Sequence, residues 1–188
     1  MTLLVLGLLL FFLPHLLPTV PSMRLSAATR CGEQRYKGLF SLVSGVGLVL
    51  IVAGYFIGSR GPQLFAPIPA ARAVAPYAMT LVFILLAASH SPSHIRAIIK
   101  HPMLVAVLIW GVVHLLANGD LRGTVLFGAF ASYALVDLIS VVRRGAVASF
   151  EPRLRADIVS VVGGVVVALL VMTFHHALFG FQVVPFGY

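Results

Sequence analysis

Acidic side chains are scarce in this chain: 5 Asp and Glu stand against 13 Lys and Arg in 188 residues, a formal net charge of +8. Charged residues of both signs make up only 10% of it, where a soluble domain carries roughly a quarter. That shortage excludes an ordinary water-soluble fold. Cysteine is nearly absent, and a single Cys31 rules out an intramolecular disulfide. Thr29 and Arg30 precede it, which speaks against lipoprotein cleavage there, because such sites want small residues. Long polar stretches are missing too. No segment between apolar runs exceeds about 20 residues, so no soluble domain is attached.

What is present is apolar: 60% of the residues are hydrophobic and the mean hydropathy is +1.06. Apolar runs lie at 2–22, 38–58, 74–90, 102–118, 123–142 and 158–179, each near the length of about 20 residues that a spanning helix needs. The expectation is an all-α, polytopic transmembrane helix bundle of about six helices, forming one domain over 1–188. The first run lacks a basic start, its first basic residue being Arg24, so it reads as a retained helix and not as a signal peptide. Small residues spaced for close helix approach occur at Ser41 and Gly45, at Gly54 and Gly58, and at Gly163 and Gly164.

The excess of positive charge could point to nucleic acid, but the basic residues sit between the apolar runs, where they meet anionic headgroups. The partner is therefore a lipid bilayer. Arg24, Arg30, Arg35, Lys37, Arg96, Lys100, Arg143, Arg144, Arg153 and Arg155 follow the odd-numbered runs, whereas the even-numbered runs are followed or preceded by Arg60, Arg72 and Arg122. This imbalance places the first set in the cytoplasm and both termini outside.

Ionisable groups inside the runs carry the chemistry. His114 lies deep in the fourth run and His15 in the first, between Pro14 and Pro18. A histidine kept in hydrocarbon faces a bundle interior, a cavity or a cofactor; the plain alternative is a hydrogen bond to a neighbouring helix. Counted as continuous helix, His15 lies about 13 Å from Arg24 and His114 about 18 Å from Pro102, so the two can share a level. Two imidazoles at one depth on different helices are the arrangement that holds a haem between axial ligands. Phe11, Phe12 and Trp110 stand within one turn of them and could flank a macrocycle. Zinc is less well served, since it wants a third or fourth ligand.

Tyr133, Asp137 and Ser140 fall on one face of the fifth helix. Asp137 either pairs with Arg143 or Arg144, or serves as a carboxylate behind a histidine such as His15 or His101, fixing its tautomer. His90, His94, His175 and His176 read as interfacial. Ser91 and Pro92 look like the cap and first residue of a short helix ending near Lys100.

The segments FFLPHLLPTVP, SPSHIRAIIKHPML, HLLANGDL and YALVDL together resemble the NnrU family of bacterial membrane proteins over most of the chain. That resemblance implies a bacterial inner-membrane protein linked to nitrate, nitrite and nitric oxide metabolism, as an enzyme or as a non-enzymatic accessory of denitrification. The same domain resembles plant zeta-carotene isomerase, which uses haem b, and this implies His15 and His114 as haem iron ligands with a small hydrophobic or redox substrate. A cysteine of the isomerase motif is Gly111 here, a departure that bears on isomerase-like chemistry but leaves bis-histidine binding open. Lys100-His101-Pro102 is also similar to the RHP motif of isoprenylcysteine carboxyl methyltransferases, which implies S-adenosylmethionine near His101. The chain has Lys where that motif has Arg, and its closing FGFQVVPFGY lacks an acid.

Overall fold

The computed structural model describes residues 1–180 and 183; most of the acid-free closing segment FGFQVVPFGY lies outside the described residues. The elements are α1 (Thr2–Leu16), a 3-10 turn (Leu17–Thr19), α2 (Pro21–Cys31), α3 (Glu33–Ile57), α4 (Pro69–Ser89), α5 (His94–Ile99), α6 (Pro102–Asn118), α7 (Leu121–Arg143) and α8 (Leu154–Phe179). The helices α1, α3, α4, α7 and α8, with the adjoining 3-10 turn counted to α1, are long and apolar enough to cross a membrane. The 17-residue α6 is a shorter apolar helix. Side chains such as Leu13, at 66% exposure, and Val49, at 67%, point away from the bundle, as lipid-facing residues do.

The first apolar run is not one span to residue 22. Pro18 has no amide hydrogen to continue the ladder, and the chain tightens into the 3-10 turn after Leu16. Pro21 then opens α2, whose Arg24, Ser26, Thr29 and Arg30 are too polar, over 11 residues, for a crossing. Gly32, at φ 86°, supplies the left-handed link that L side chains resist, and α3 starts at once with Glu33 on Arg24 and Lys37. The short α5 also starts later than expected: Ser93, not Ser91, caps it by accepting from the Arg96 amide at 3.1 Å. Pro102 does occupy the first turn of α6, and Asp120 caps α7 through the Gly123 amide at 2.8 Å.

In space the five long apolar helices and α6 form an arc in the order α3, α1, α7, α6, α4, α8. Glycine sets the closest contacts. A β-carbon at Gly7 would stand 2.5 Å from the Ile51 nitrogen, and one at Gly164 would stand 2.5 Å from the Ile84 α-carbon. Two ends can be told apart. One carries α2, α5 and the basic residues near Arg144; the other gathers Gly58, Gly119 and Phe179. At the Gly119 end, residues 59–68 fold over the α6–α7 corner. Leu64 donates to the Gly119 carbonyl at 2.8 Å, Ile68 to Leu116 at 2.9 Å, and Gln63 Nε2 to Asn118 at 2.8 Å. The last carbonyls of α6 are thereby satisfied where no further helix can reach them.

Candidate functional site

The concave side of the arc encloses a cavity of 670 Å³ bounded by α3, α4, α6, α7 and α8. This volume is in the range of about 300–1,000 Å³ found for small-molecule and cofactor sites. Its walls are mainly apolar and aromatic, with Tyr55, Phe83, Trp110, Phe127 and Phe130 among them. The polar lining is concentrated at the Gly119 end, where Arg72, His114, Asn118 and His175 converge.

His114 sits between Trp110 and Phe127, with ring centroids 5.3 and 4.9 Å away. Its Nδ1 lies 2.9 Å from the Trp110 carbonyl. A carbonyl only accepts, so Nδ1 carries the hydrogen, and in the neutral imidazole Nε2 keeps its lone pair. Metal-ligating histidines are held in this way. Around it, Asn118 Nδ2 donates to the His114 carbonyl at 2.7 Å and Arg72 Nε to the Ala117 carbonyl at 3.1 Å. These two bonds tie the end of α6 to itself and to α4.

His15 has the same internal hydrogen bond, from Nδ1 to the Phe11 carbonyl at 2.6 Å. Its ring stacks on Phe11 at 4.2 Å and faces Phe40 and Tyr133 at 4.8 and 5.8 Å. His15 does not line the cavity. Phe11 and Phe12, packed on Phe130 at 5.6 and 4.9 Å, stand between. Nor do the two histidines share a level. His114 lies beside Phe127 and His15 beside Tyr133, and those six residues of α7 span about 9 Å. Counting from Arg24 through continuous helix misplaced His15, because α1 ends at Leu16.

The imidazole that shares the cavity with His114 is His175, which the sequence pattern assigned to the interface. A signal for it was available: His114 and His175 each stand four residues before the last residue of their helix, at Asn118 and Phe179. Both helices run toward the same end, and both histidines lie close to the last turns of their helices.

Asp137 lies on the face expected of it, with Tyr133 and Ser140, and that face meets the end of α1. Tyr133 Oη donates to Asp137 Oδ2 at 3.2 Å and lies 3.5 Å from the His15 carbonyl. Ser140 Oγ donates to the Thr19 carbonyl at 2.7 Å. Among the described residues Asp137 pairs with neither Arg143 nor Arg144. His101 precedes α6 at the basic end, thirteen residues and about 20 Å from His114. His94, near the same end, holds Asp157 of α8 at 2.6 Å. Among the described residues no three His, Cys, Asp or Glu side chains are grouped to hold a metal ion by themselves.

Compared with known proteins, residues 3–183 match the family model described as NnrU protein. No curated protein matches the chain, and no solved structure does.

Proposed function

The chain belongs to the NnrU family, and we propose that it binds haem b inside the bilayer, held in part by His114. The observation that carries this reading is the placement of His114: an imidazole with its Nδ1–H engaged by the Trp110 carbonyl, on the wall of a large apolar cavity within the helices. An isolated imidazole there is costly unless it has a ligand or a partner. The residues fit such a group in kind. Trp110, Phe127 and Phe130 offer aromatic faces to a macrocycle, and Arg72 offers a cation at the polar end. A haem held there supplies a one-electron redox centre.

Two imidazoles could hold the group together with His114. His15 is favoured by its matching Nδ1–carbonyl bond, which leaves Nε2 available. It reaches the cavity only if the Phe11–Phe130 contact parts. His175 is favoured because it lines the same cavity as His114. As the helices are arranged here, the shared cavity favours His175. The chain's own part in either case is to orient His114, exclude water with the aromatic wall, and hold acid groups at the Arg72 end.

The reading places the protein in a bacterial inner membrane with its basic end in the cytoplasm. Its task is redox or sensing chemistry linked to nitrogen oxide metabolism. The test is whether protein from haem-sufficient cells carries haem that disappears in His114→Ala. A folded wild type without haem leaves the accessory role in denitrification.

A further inference from the structure

The arc of spans does not close. Among the described residues α3 rests on α1 and α2 and makes no extended contact with α4, α6 or α8, although all of them line the same cavity. The consequence is visible in single residues. Leu48 and Val52 line the cavity yet remain 48% and 47% exposed, whereas Ile51 on the neighbouring face of α3 is 5% exposed. With no extended contact from α4, α6 or α8 to cover them, these two side chains border an open side of the cavity. At the Gly119 end α3 and α8 approach, where the rings of Phe56 and Phe179 stack at 6.1 Å with 14° between planes. Phe179 in turn leans on His175 at 4.9 Å.

From this geometry we infer that the gap between α3 and α8, below the Phe56–Phe179 pair, is a lateral portal through which a membrane-dissolved amphiphile with an acidic head enters the cavity. The apolar body comes from hydrocarbon, because both rims are apolar: Leu48 and Val52 on α3, Val171 and Met172 on α8. The head is acidic because Arg72 lines the polar end and no carboxylate pairs with it among the described residues. Its Nε is taken by the Ala117 carbonyl, which fixes the guanidinium plane and leaves its other donors for a bidentate acid. Asn118 and His175 add polar groups to the cavity lining. The carboxylates of a haem and the head of a free fatty acid share this chemistry. The portal uses the cavity described above, but it does not require that haem be the occupant.

Trp110 is the only tryptophan and lines the cavity, so it reports occupancy directly. The experiment adds dibromostearic acid, whose bromines quench tryptophan on contact, to protein purified from haem-limited cells, with absorbance recorded alongside. Quenching is expected to saturate, and to weaken by roughly tenfold in Arg72→Gln and with the methyl ester, for loss of a charge-assisted contact. The ester comparison uses the wild-type chain and so decides the question even if the variant misfolds. Adding haem to the same protein distinguishes the sources: competition with the fatty acid means one site for both, and independent quenching assigns the site to the lipid. For the portal, Phe56→Cys and Phe179→Cys are combined with Cys31→Ser and bridged by a cleavable bis-maleimide. Bridging is expected to slow quenching several-fold, and cleavage to restore it. Equal quenching by acid and ester overturns the acidic head, and an unchanged rate after bridging overturns the portal. A missing Soret band in haem-sufficient protein overturns only the haem reading.

Discussion

Gly47 and Phe11 meet backbone to backbone: a β-carbon added at Gly47 would stand 2.5 Å from the Phe11 amide nitrogen. This contact fixes α3 against α1, and α3 forms one wall of the cavity. Gly47→Ala must push the helices apart, at about 1–3 kcal/mol for overpacking. Gly45→Ala has nothing within 4 Å to meet and is expected to be neutral or stabilising, by up to about 1 kcal/mol, since glycine is the poorer helix former. Thermal unfolding in detergent checks the pair, and equal melting temperatures would contradict the α1–α3 arrangement.

Arg122 provides the second fixture of α3. Its Nη1 donates to the carbonyls of Tyr55 and Gly58 at 2.5 and 2.9 Å, and its guanidinium lies 4.3 Å over the Tyr55 ring. The side chain is 8% exposed, so these bonds are shielded from water. Arg122→Ala should cost about 2 kcal/mol or more through the two charge-assisted bonds, and Arg122→Lys should recover only part of that, because an ammonium lacks the planar fork. Full stability in Arg122→Ala would remove this role.

Asp137 distinguishes the two candidates for the second imidazole. Its carboxylate holds Tyr133, which lies beside His15 at the far side of the aromatic wall from His175. With His175 as ligand, Asp137→Asn leaves the haem spectrum and its retention unchanged. A shifted spectrum or faster haem loss in Asp137→Asn points to His15 instead.

At the basic end, α8 is clasped to the α4–α5 corner. Asp157 accepts from His94 at 2.6 Å and from the Ile95 amide at 3.1 Å, and Ser91 and Ser160 share a hydrogen bond of 3.0 Å. Asp157→Asn keeps the backbone bond and weakens the His94 contact, whereas Asp157→Ala removes both. Faster amide exchange at the start of α8 is expected in the order Asp157→Ala, Asp157→Asn, wild type. An identical exchange rate in all three would show that the clasp holds nothing.

Much of this architecture was legible in the chain itself. Six apolar runs gave the spans because a bilayer demands length and hydrophobicity, and both are local properties. Proline and glycine located breaks less well. Pro18 ended α1 where hydropathy alone continued, since apolar residues such as Leu16 and Leu17 occupy helix and 3-10 turn alike. Close helix contacts were half legible: Gly54 and Gly164 do meet a neighbouring helix, but Gly45 and Gly163 face open space while Gly7 and Gly47 carry the contact. Residue size alone does not say which way a helix turns. The candidate site followed the same division. His114 stood out because an ionisable group in hydrocarbon is conspicuous, whereas His175 was hidden by its nearness to the helix end and by its neighbour His176. Which imidazole shares a cavity with His114 depends on the order of spans around the arc, and that order is a tertiary property.

The most direct measurement is the oxidised and reduced absorption spectrum of detergent-purified protein from haem-sufficient cells, compared with His114→Ala, His175→Ala and His15→Ala. The account expects a low-spin haem spectrum in the wild type, its loss in His114→Ala, and a change to a five-coordinate form in His175→Ala with His15→Ala unaltered. A folded wild-type protein with no Soret absorption, or one whose spectrum survives His114→Ala intact, would contradict it.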